Sequence, residues 1–261
     1  MRGEMKGDAD TADDEVLARW RVLAGDPRAV LLDGFHAVKH ALRFGAPVDL
    51  AVTADRARAL ALAGTLAPDL AGTLAGLLVQ VGPGTLAALA GGAHPTAVAG
   101  LARRPETALR EVARTAPVVL LDDPRHLGNV GAVVRVAAGL GAAAVLTTGT
   151  VDPWHPTVLR GSAGLHFALP VLRVDAAELA DLPGPLLALD AGGTDIRGLA
   201  VPDGAALVFG SERRGVSAGL RRRADALVAL PMRRRVSSYN LATSVAMALY
   251  HWTLTRPSPP G

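Results

Sequence analysis

The chain of 261 residues has no cysteine. This absence excludes a disulfide framework, a cysteine-ligated zinc site and a catalytic thiol. Aromatic residues make up only 3% of the chain, against 50% hydrophobic residues, so we expect a core of alanine, valine and leucine. No apolar run reaches the ~20 residues that a membrane-spanning helix needs, and the polar, acidic start is unlike a signal peptide. We therefore expect a cytoplasmic protein that does not enter a membrane.

Lysine is nearly absent as well. Lys6 and Lys39 are the only two, and arginine supplies all the other cations. The arginines form clusters in the last third of the chain, at Arg213–Arg214, Arg221–Arg223 and Arg233–Arg235. Such clusters are typical of surfaces that bind phosphate groups. A solvated face rich in arginine gives the same pattern, so both interpretations stay open for each cluster.

Composition divides the chain into segments. The start is polar and acidic, which predicts disorder, and the apolar period of Leu31–Arg43 predicts a helix. Pro105 lies in a charged stretch and restricts the backbone of the residue before it, which marks a linker. The expected order is a disordered segment at 1–15, a small α/β domain at 16–104, a linker at 105–116, a larger α/β domain at 117–255 and a proline-rich tail at 256–261.

The larger domain starts with Val118–Leu121, a continuous apolar run typical of a strand buried on both faces of a parallel sheet. Strand and helix signals alternate after it, which favours an α/β domain with a parallel sheet. In such sheets a ligand binds beyond the carboxyl ends of the strands. Further elements are expected as a helix at Val130–Leu140, strands at Ala143–Thr147, Pro185–Leu189, Ala206–Phe209 and Leu227–Leu230, and a helix at Tyr239–Leu254.

The first motif is Asn129-x-Gly131-x-x-x-Arg135. Asn129 lies where an N-cap is expected after the loop that ends in Gly128. Arg135 is four residues after Gly131 and four before Gly139, so all three lie near one helix face. These small neighbours leave room for another group to approach the guanidinium. In isolation, the motif equally describes a capped helix with one exposed arginine.

The second motif is Gly210-Ser211-Glu212-x-x-Gly215, directly after a predicted strand. Gly210 allows positive φ angles and lets a ligand approach the backbone. Glu212 is a carboxylate in the turn. A plain strand-to-helix turn with an acid favoured by the helix dipole gives the same pattern.

The third motif is Leu230-Pro231-Met232, followed by a basic loop and Ser237-Ser238-Tyr239-Asn240. The proline fixes the direction of the chain as it leaves a strand. Ser237 or Ser238 is the expected cap of the last helix, which leaves Ser238 and Asn240 as polar groups at its start. An apolar stripe follows, and it fits either a core or a subunit interface. The stripe consists of Leu241, Val245, Ala248, Leu249 and Trp252.

The sequence lacks the motifs of several other kinds of functional site. A dinucleotide fingerprint requires Gly-x-Gly-x-x-Gly between a first strand and its helix, which Gly128-Asn129-Val130-Gly131 does not supply. No lysine follows a glycine-rich loop, and no Gly-x-Ser-x-Gly sequence is present. His36 and His40 are four residues apart, but the glutamate of a zinc protease motif is missing between them, so we expect no metal site.

In combination, the three motifs resemble the SpoU (TrmH) family of RNA ribose 2′-O-methyltransferases, within the SPOUT superfamily. The first extends from Asp123-Pro124 to Arg135, and all three occur in the family's order and spacing over residues 117–255. A looser likeness links residues 16–104 to the small RNA-binding domain of many members, through His94-Pro95-Thr96 before a strand. Two departures are Tyr239, where many members have leucine, and Arg233–Arg235, where a small-residue loop is common.

The resemblance implies an α/β domain with a deep trefoil knot, a rare exception to unknotted topology. It implies that the knot holds S-adenosylmethionine, mainly through backbone groups, and that the protein is a homodimer with its active site near the subunit interface. In that case the stripe of the last helix is a dimer contact. The residues placed at the cofactor are Gly210, Leu230, Met232, Tyr239 and Leu189.

The resemblance also implies that Arg135 is the key residue of methyl transfer, either as a base or as a phosphate anchor. A guanidinium remains protonated in proteins, so we prefer a role in which Arg135 grips an adjacent phosphate and stabilises the developing alkoxide. The residues expected to orient Arg135 and the ribose are Asn129, Glu212, Ser238 and Asn240.

Several alternatives remain at this point. A catalytically idle RNA-binding or ribosome-assembly protein of the same fold is the main one, although the intact motifs argue against it. A generic Rossmann-like enzyme and a base methyltransferase are the others. Ribosomal RNA is the preferred substrate and transfer RNA the second. Antibiotic resistance through rRNA methylation is not distinguished from housekeeping modification.

Overall fold

The computed structural model describes residues 4–92 and 94–256, and the chain forms two compact units. The first unit is Met1–Glu106 together with Ala163–Phe167, and the second is Thr107–Ser162 together with Ala168–Gly261. The division after Glu106 lies inside the segment 105–116 that we predicted as a linker. Of the predicted tail at 256–261, all but the first residue lies outside the described part of the chain.

The first unit contains a four-stranded sheet with the order β1-β4-β2-β3. Strand β4 is antiparallel to both β1 and β2, whereas β2 and β3 are parallel. The region predicted as one helix from Leu31 to Arg43 begins as a strand, and the helix starts only after Gly34. In chain order the elements are α1 (Glu4–Ala24), β1 (Ala29–Asp33), α2 (Phe35–Arg43), β2 (Val48–Thr53), α3 (Arg56–Leu66), α4 (Ala71–Leu77), β3 (Leu78–Gln80), α5 (Pro83–Ala90) and β4 (Val98–Arg103).

The acidic N-terminal segment is helical where the structure describes it. We expected disorder over residues 1–15, but α1 begins at Glu4, and residues 1–3 are outside the described part. One reason is a contact at the start of α5, where Asp13 accepts hydrogen bonds from Gly82 N at 2.9 Å and from the Thr85 hydroxyl at 2.5 Å. Another is the apolar contact of Trp20, which is buried in the core of this unit.

The second unit is an α/β domain whose sheet has the order β10-β8-β9-β5-β6-β7. Every strand pair in this sheet is parallel, as the apolar runs predicted. In chain order the elements are β5 (Val118–Asp122), α6 (Leu127–Leu140), β6 (Ala144–Thr147), α7 (Pro156–Gly161), β7 (Val171–Arg173), α8 (Ala176–Ala180), β8 (Leu186–Asp195), β9 (Ala206–Gly210), α9 (Ala218–Arg223), β10 (Ala226–Ala229) and α10 (Leu241–Thr255).

The core of the second unit extends into the predicted linker. Val112 is buried, and Leu109 packs against the same cluster as Val118 and Leu120. Residues 107–116 are therefore part of the domain, because two of their apolar side chains are needed to cover the sheet. No helix in the described residues is both long and apolar enough to cross a bilayer.

The apolar stripe of α10 is core. Val245, Ala248, Leu249 and Trp252 are each at most 1% exposed within a single chain, and the Trp252 indole N–H donates to Asp203 Oδ1 at 2.8 Å. The interpretation of this stripe as a dimer contact is therefore wrong. The same chain already covers these side chains, so they have no surface to offer a second copy.

Candidate active site

A cavity of about 640 Å³ lies beyond the carboxyl ends of β9 and β10 and beside the middle of β8. β8 pairs with β9 only as far as Ala188, and the cavity opens where this pairing stops. Eight of the ten residues predicted for the cofactor and the reaction line it. They are Leu189, Gly210, Glu212, Leu230, Met232, Ser238, Tyr239 and Asn240.

The loop after β9 folds back onto Gly210. A Cβ atom added there would lie 1.9 Å from the carbonyl carbon of Gly215 and 2.1 Å from Val216 N. Gly215 has a φ angle of 64°, and its N–H donates to Ser211 O at 3.0 Å. Because no side chain fits at Gly210, the backbone of this loop forms the cavity wall directly.

Asp122 holds this loop from the neighbouring strand. It ends β5, beside Gly210 in the register of the sheet, and is only 8% exposed. Its Oδ2 accepts a hydrogen bond from Ser217 N at 2.6 Å, and its Oδ1 accepts one from the Thr148 hydroxyl at 3.2 Å. Sequence analysis missed Asp122, although an acid at the end of an apolar strand is the signal that could have identified it.

Three side chains from the three motifs form one hydrogen-bonded row. Asn129 Nδ2 donates to Glu212 Oε1 at 2.7 Å, and Asn240 Nδ2 donates to Asn129 Oδ1 at 3.0 Å. Asn240 Oδ1 in turn accepts from Ala242 N at 2.9 Å. The row connects the start of α6, the loop after β9 and the start of α10.

The two ends of the row fix the orientation of both amides. A carboxylate only accepts hydrogen bonds and a backbone N–H only donates, so Asn129 must present Nδ2 to Glu212 and Asn240 must present Oδ1 to Ala242. Each amide nitrogen keeps one N–H that the row does not use. The row therefore offers donors, which suit an oxygen that gains negative charge.

Glu212 is held in its ionised form. Partial burial raises its pKa, but the hydrogen bonds from the Asn129 side chain and from backbone N–H groups, including that of Arg125, outweigh this effect and place the pKa below the ordinary value. At neutral pH the carboxylate is a permanent acceptor for Asn129. The negative charge favours the orientation in which Asn129 directs its Nδ2 toward Glu212.

Two predicted helix caps are wrong. Helix α6 begins at Leu127, so Asn129 lies in its first turn and its side chain reaches Glu212 instead of a cap position. Helix α10 is capped by Asn240 and not by Ser237 or Ser238. Asn129 was expected to be a cap and instead bonds Glu212, whereas Asn240 provides the cap that was expected from Ser237 or Ser238.

A hydrogen bond joins the two ends of the segment between β10 and α10. The Tyr239 hydroxyl donates it to Pro231 O at 2.8 Å. Its side chain remains 37% exposed. Leucine, common at this position in the family that the motifs resemble, has no hydroxyl and cannot form this hydrogen bond. Ser244, missed in the sequence, also lines the cavity and donates to Asn240 O at 3.1 Å; its helical spacing from Asn240 was the available signal.

Arg135 is not brought to the cavity. It is exposed on α6, and its guanidinium has no hydrogen bond or ion pair with the residues that the structure describes. Six helical positions separate it from Asn129, about 9 Å along the helix axis. The room expected beside Gly131 is also taken, since a Cβ atom there would lie 2.6 Å from Val158 O of α7, whereas Gly139 is open.

The sequence is similar to a known protein family and to curated relatives. A model described as the SpoU rRNA Methylase family matches residues 116–250. The 23S rRNA (guanosine(2553)-2′-O)-methyltransferase RlmP of Bacillus subtilis is 31% identical over 169 residues, which covers 60% of this chain and 64% of that protein. The chain spans less than two thirds of the length of the curated relatives it matches.

Two solved structures are similar over most of their length. The SpoU methyltransferase AviRb of Streptomyces viridochromogenes, in complex with the cofactor AdoMet (S-adenosylmethionine), has a TM-score of 0.73 at 24% identity and covers 91% of this chain and 96% of AviRb. An RNA 2′-O ribose methyltransferase has a TM-score of 0.71 at 27% identity, with coverage of 90% and 93%. The α/β fold with its parallel sheet is therefore that of SpoU methyltransferases.

Proposed function

The chain belongs to the SpoU rRNA methylase family, and we propose that it transfers the methyl group of S-adenosylmethionine to a ribose 2′-hydroxyl of RNA. One observation carries the proposal. Motifs 83 and 111 residues apart in sequence meet in the row Glu212–Asn129–Asn240 at the edge of one cavity. A chance likeness in sequence gives no reason for these three side chains to be in contact.

The cavity is suited to S-adenosylmethionine. Its volume of about 640 Å³ is within the usual range of roughly 300–1,000 Å³ for small-molecule sites. Its wall at Gly210 is bare backbone, since a Cβ atom would meet the loop there. Leu189, Leu230 and Met232 add apolar surface. We propose that backbone groups at Gly210, Leu230 and Tyr239 hold the cofactor, whose sulfonium supplies the methyl group. The trefoil knot stays a prediction for the same region.

The residues beside the cavity would position and polarise the ribose. The spare N–H groups of Asn129 and Asn240 are donors for the 2′-oxygen as it gains charge, and Ser238 adds a hydroxyl next to them. Arg135 has no partner among the described residues, so its guanidinium is available to grip a phosphate of the RNA. Positioning of this kind can supply much of the rate gain of a methyl transfer.

We place ribosomal RNA first among the substrates and transfer RNA second. The family match and the B. subtilis relative, whose name specifies a 23S rRNA guanosine, support that order. A cytoplasmic location follows from such a substrate. The first unit would serve as the RNA-binding domain of the protein.

We also propose that the protein is a homodimer, through a second stripe of α10. Tyr250 is 57% exposed and Leu254 is 66% exposed, and with the half-buried Met247 they recur at helical spacing. This face is opposite the buried stripe of the same helix. Exposed apolar side chains of this size favour contact with another protein surface.

The decisive experiment is methyl transfer from tritiated S-adenosylmethionine to unmodified 16S rRNA, 23S rRNA and tRNA transcripts, followed by mapping of the modified nucleotide. The expected result is one 2′-O-methylated nucleotide in rRNA. Methylation of a base would contradict the proposed reaction. Binding of cofactor and RNA without any transfer would favour a catalytically idle protein instead.

A further inference from the structure

A tight turn of arginines interrupts the segment between β10 and α10. The N–H of Val236 donates to Arg233 O at 3.1 Å, so residues 233–236 form a four-residue turn, here named the arginine turn. Arg235 occupies its third position with a φ angle of 73°. Glycine and asparagine are the residues that favour this position, because a side chain is strained in the left-handed region.

The arginine turn is located at the rim of the cavity. Met232, immediately before it, and Ser237, immediately after it, both line the cavity wall. All three arginines of the turn are exposed. The second motif brings two more exposed arginines to the same rim, since Arg213 lines the cavity and Arg214 follows it.

These guanidinium groups have no counter-charge. None of the five makes a hydrogen bond or an ion pair with another residue in the described part of the chain. The two acids that line the cavity are already engaged, Glu212 by Asn129 and Asp190 by Arg221. The rim therefore has an excess of positive charge that the folded chain itself does not neutralise.

Three other arginines of the same unit contact neighbouring residues. Arg197 pairs with Asp195 at 2.6 Å, Arg223 donates to Leu179 O at 2.8 Å, and Arg114 donates to Pro183 O at 2.7 Å. Each of these contacts stabilises the fold. The guanidinium groups of the arginine turn make no such contact with the residues that the structure describes, and Arg235 carries a backbone strain that glycine would avoid.

From these observations, and resting on the proposed RNA methylation, we infer that the arginine turn is a phosphate clamp that holds the RNA strand next to the target nucleotide. Phosphate contacts fix the position and register of a nucleic acid on a protein. Arginine suits this role because its planar fork binds phosphate oxygens in pairs. Arg213 and Arg214 would contact the same strand from the loop after β9.

The first test compares Arg233→Gln/Arg234→Gln with the control Arg110→Gln/Arg173→Gln. The control removes the same charge from exposed arginines that do not line the cavity and have no partner among the described residues. Binding of an unmodified 23S rRNA transcript is measured over a range of salt concentrations. The turn variant should bind at least about tenfold more weakly, and its slope of log K against log salt should decrease by about 1.4. Equal slopes for the two variants would overturn the clamp.

The second test uses Arg235→Gly, which removes one guanidinium and relieves the backbone. The thermal midpoint of unfolding should stay the same or rise, while RNA affinity falls. A purely structural role predicts the opposite, a lower midpoint with unchanged affinity. Cofactor affinity, measured by calorimetry, should be unchanged in all these variants, because the backbone wall of the cavity is left intact.

The two proposals fail in different ways. If the wild-type protein methylates no RNA but binds it with a salt slope that the turn variant lowers, the reaction is wrong and the clamp stands. If the wild-type protein methylates rRNA and the turn variant binds like its control, the clamp is wrong. Retention of RNA affinity together with loss of an acidic protein partner would assign the turn to protein contact instead.

Discussion

The side chains of Asn129 and Asn240 are 111 positions apart in sequence, and Asn240 Nδ2 donates to Asn129 Oδ1 at 3.0 Å. The oxygen of the same Asn240 amide caps α10 through Ala242 N at 2.9 Å. One residue thus serves both the site and the helix. The two roles use different atoms of the amide, so a substitution can separate them.

Asn240→Asp should reduce methyl transfer without loss of stability. Aspartate keeps an oxygen for the helix cap, and it is as good an N-cap as asparagine. It cannot donate to Asn129, and its charge repels the Asn129 oxygen. We expect kcat to fall by about tenfold or more, with an unchanged thermal midpoint. Asn240→Ala is the comparison, because it should also lose about 1 kcal/mol of stability with the cap.

The ionised state of Glu212 leads to a prediction on pH. Because its pKa is lowered in the folded chain, the stability contributed by this carboxylate is present at neutral pH and is lost as the pH falls through the folded-state pKa. A carbon NMR titration of the Glu212 carboxyl group should therefore give a pKa below the ordinary glutamate value of 4.5. Asn129→Ala should raise it, since it removes the side-chain donor. A Glu212 pKa that Asn129→Ala leaves unchanged would show that the row is absent in solution.

Gly210→Ala should displace the loop that forms the cavity wall. The new methyl group would lie 1.9 Å from backbone of the same loop, so the loop must shift. We expect a loss of about 1–3 kcal/mol of unfolding free energy and weaker cofactor binding by calorimetry. Gly64→Ala in α3 is the matched control. No atom lies within 4 Å of its new methyl group, so it should gain about 0.5–1 kcal/mol from helix propensity.

The sequence predicted the elements that depend on local pattern and missed the contacts between distant residues. Val118–Leu121 was recognisable because a strand buried on both faces is apolar throughout. The cap by Asn129 was wrong because its side chain bonds the distant Glu212. The cap by Ser237 or Ser238 was wrong because α10 begins only at Leu241, where Asn240 is the N-cap. A stripe such as Val245–Trp252 has the same period whether its own chain or a second copy covers it. Only the fold distinguishes these cases.

Leu254→Glu should separate the proposed dimer. Leu254 is 66% exposed and lies on the outer face of α10, so a charge there opposes burial against a second copy. Light scattering should give a dimeric mass for the wild type and a monomeric mass for the variant. Val22→Glu, at a side chain 78% exposed on α1, introduces the same charge outside α10 and should leave the mass unchanged. A monomeric wild type would contradict the homodimer.

Arg135→Ala should abolish most of the methyl transfer while leaving the fold and the cofactor site intact. Arg135 is exposed and has no partner among the described residues, so its removal should change the unfolding free energy by no more than about 0.5 kcal/mol. Loss of a phosphate anchor would misplace the ribose, and a small misplacement of the reacting groups can cost roughly 10²-fold in rate. Arg173→Ala is the control and should keep full activity, because Arg173 lies on the edge strand β7, at the end of the sheet away from β10. Calorimetry with S-adenosylmethionine distinguishes a phosphate anchor from a residue that binds the cofactor, because loss of a phosphate anchor leaves cofactor affinity unchanged. If Arg135→Ala loses cofactor binding instead, Arg135 acts on the cofactor and the phosphate role is wrong.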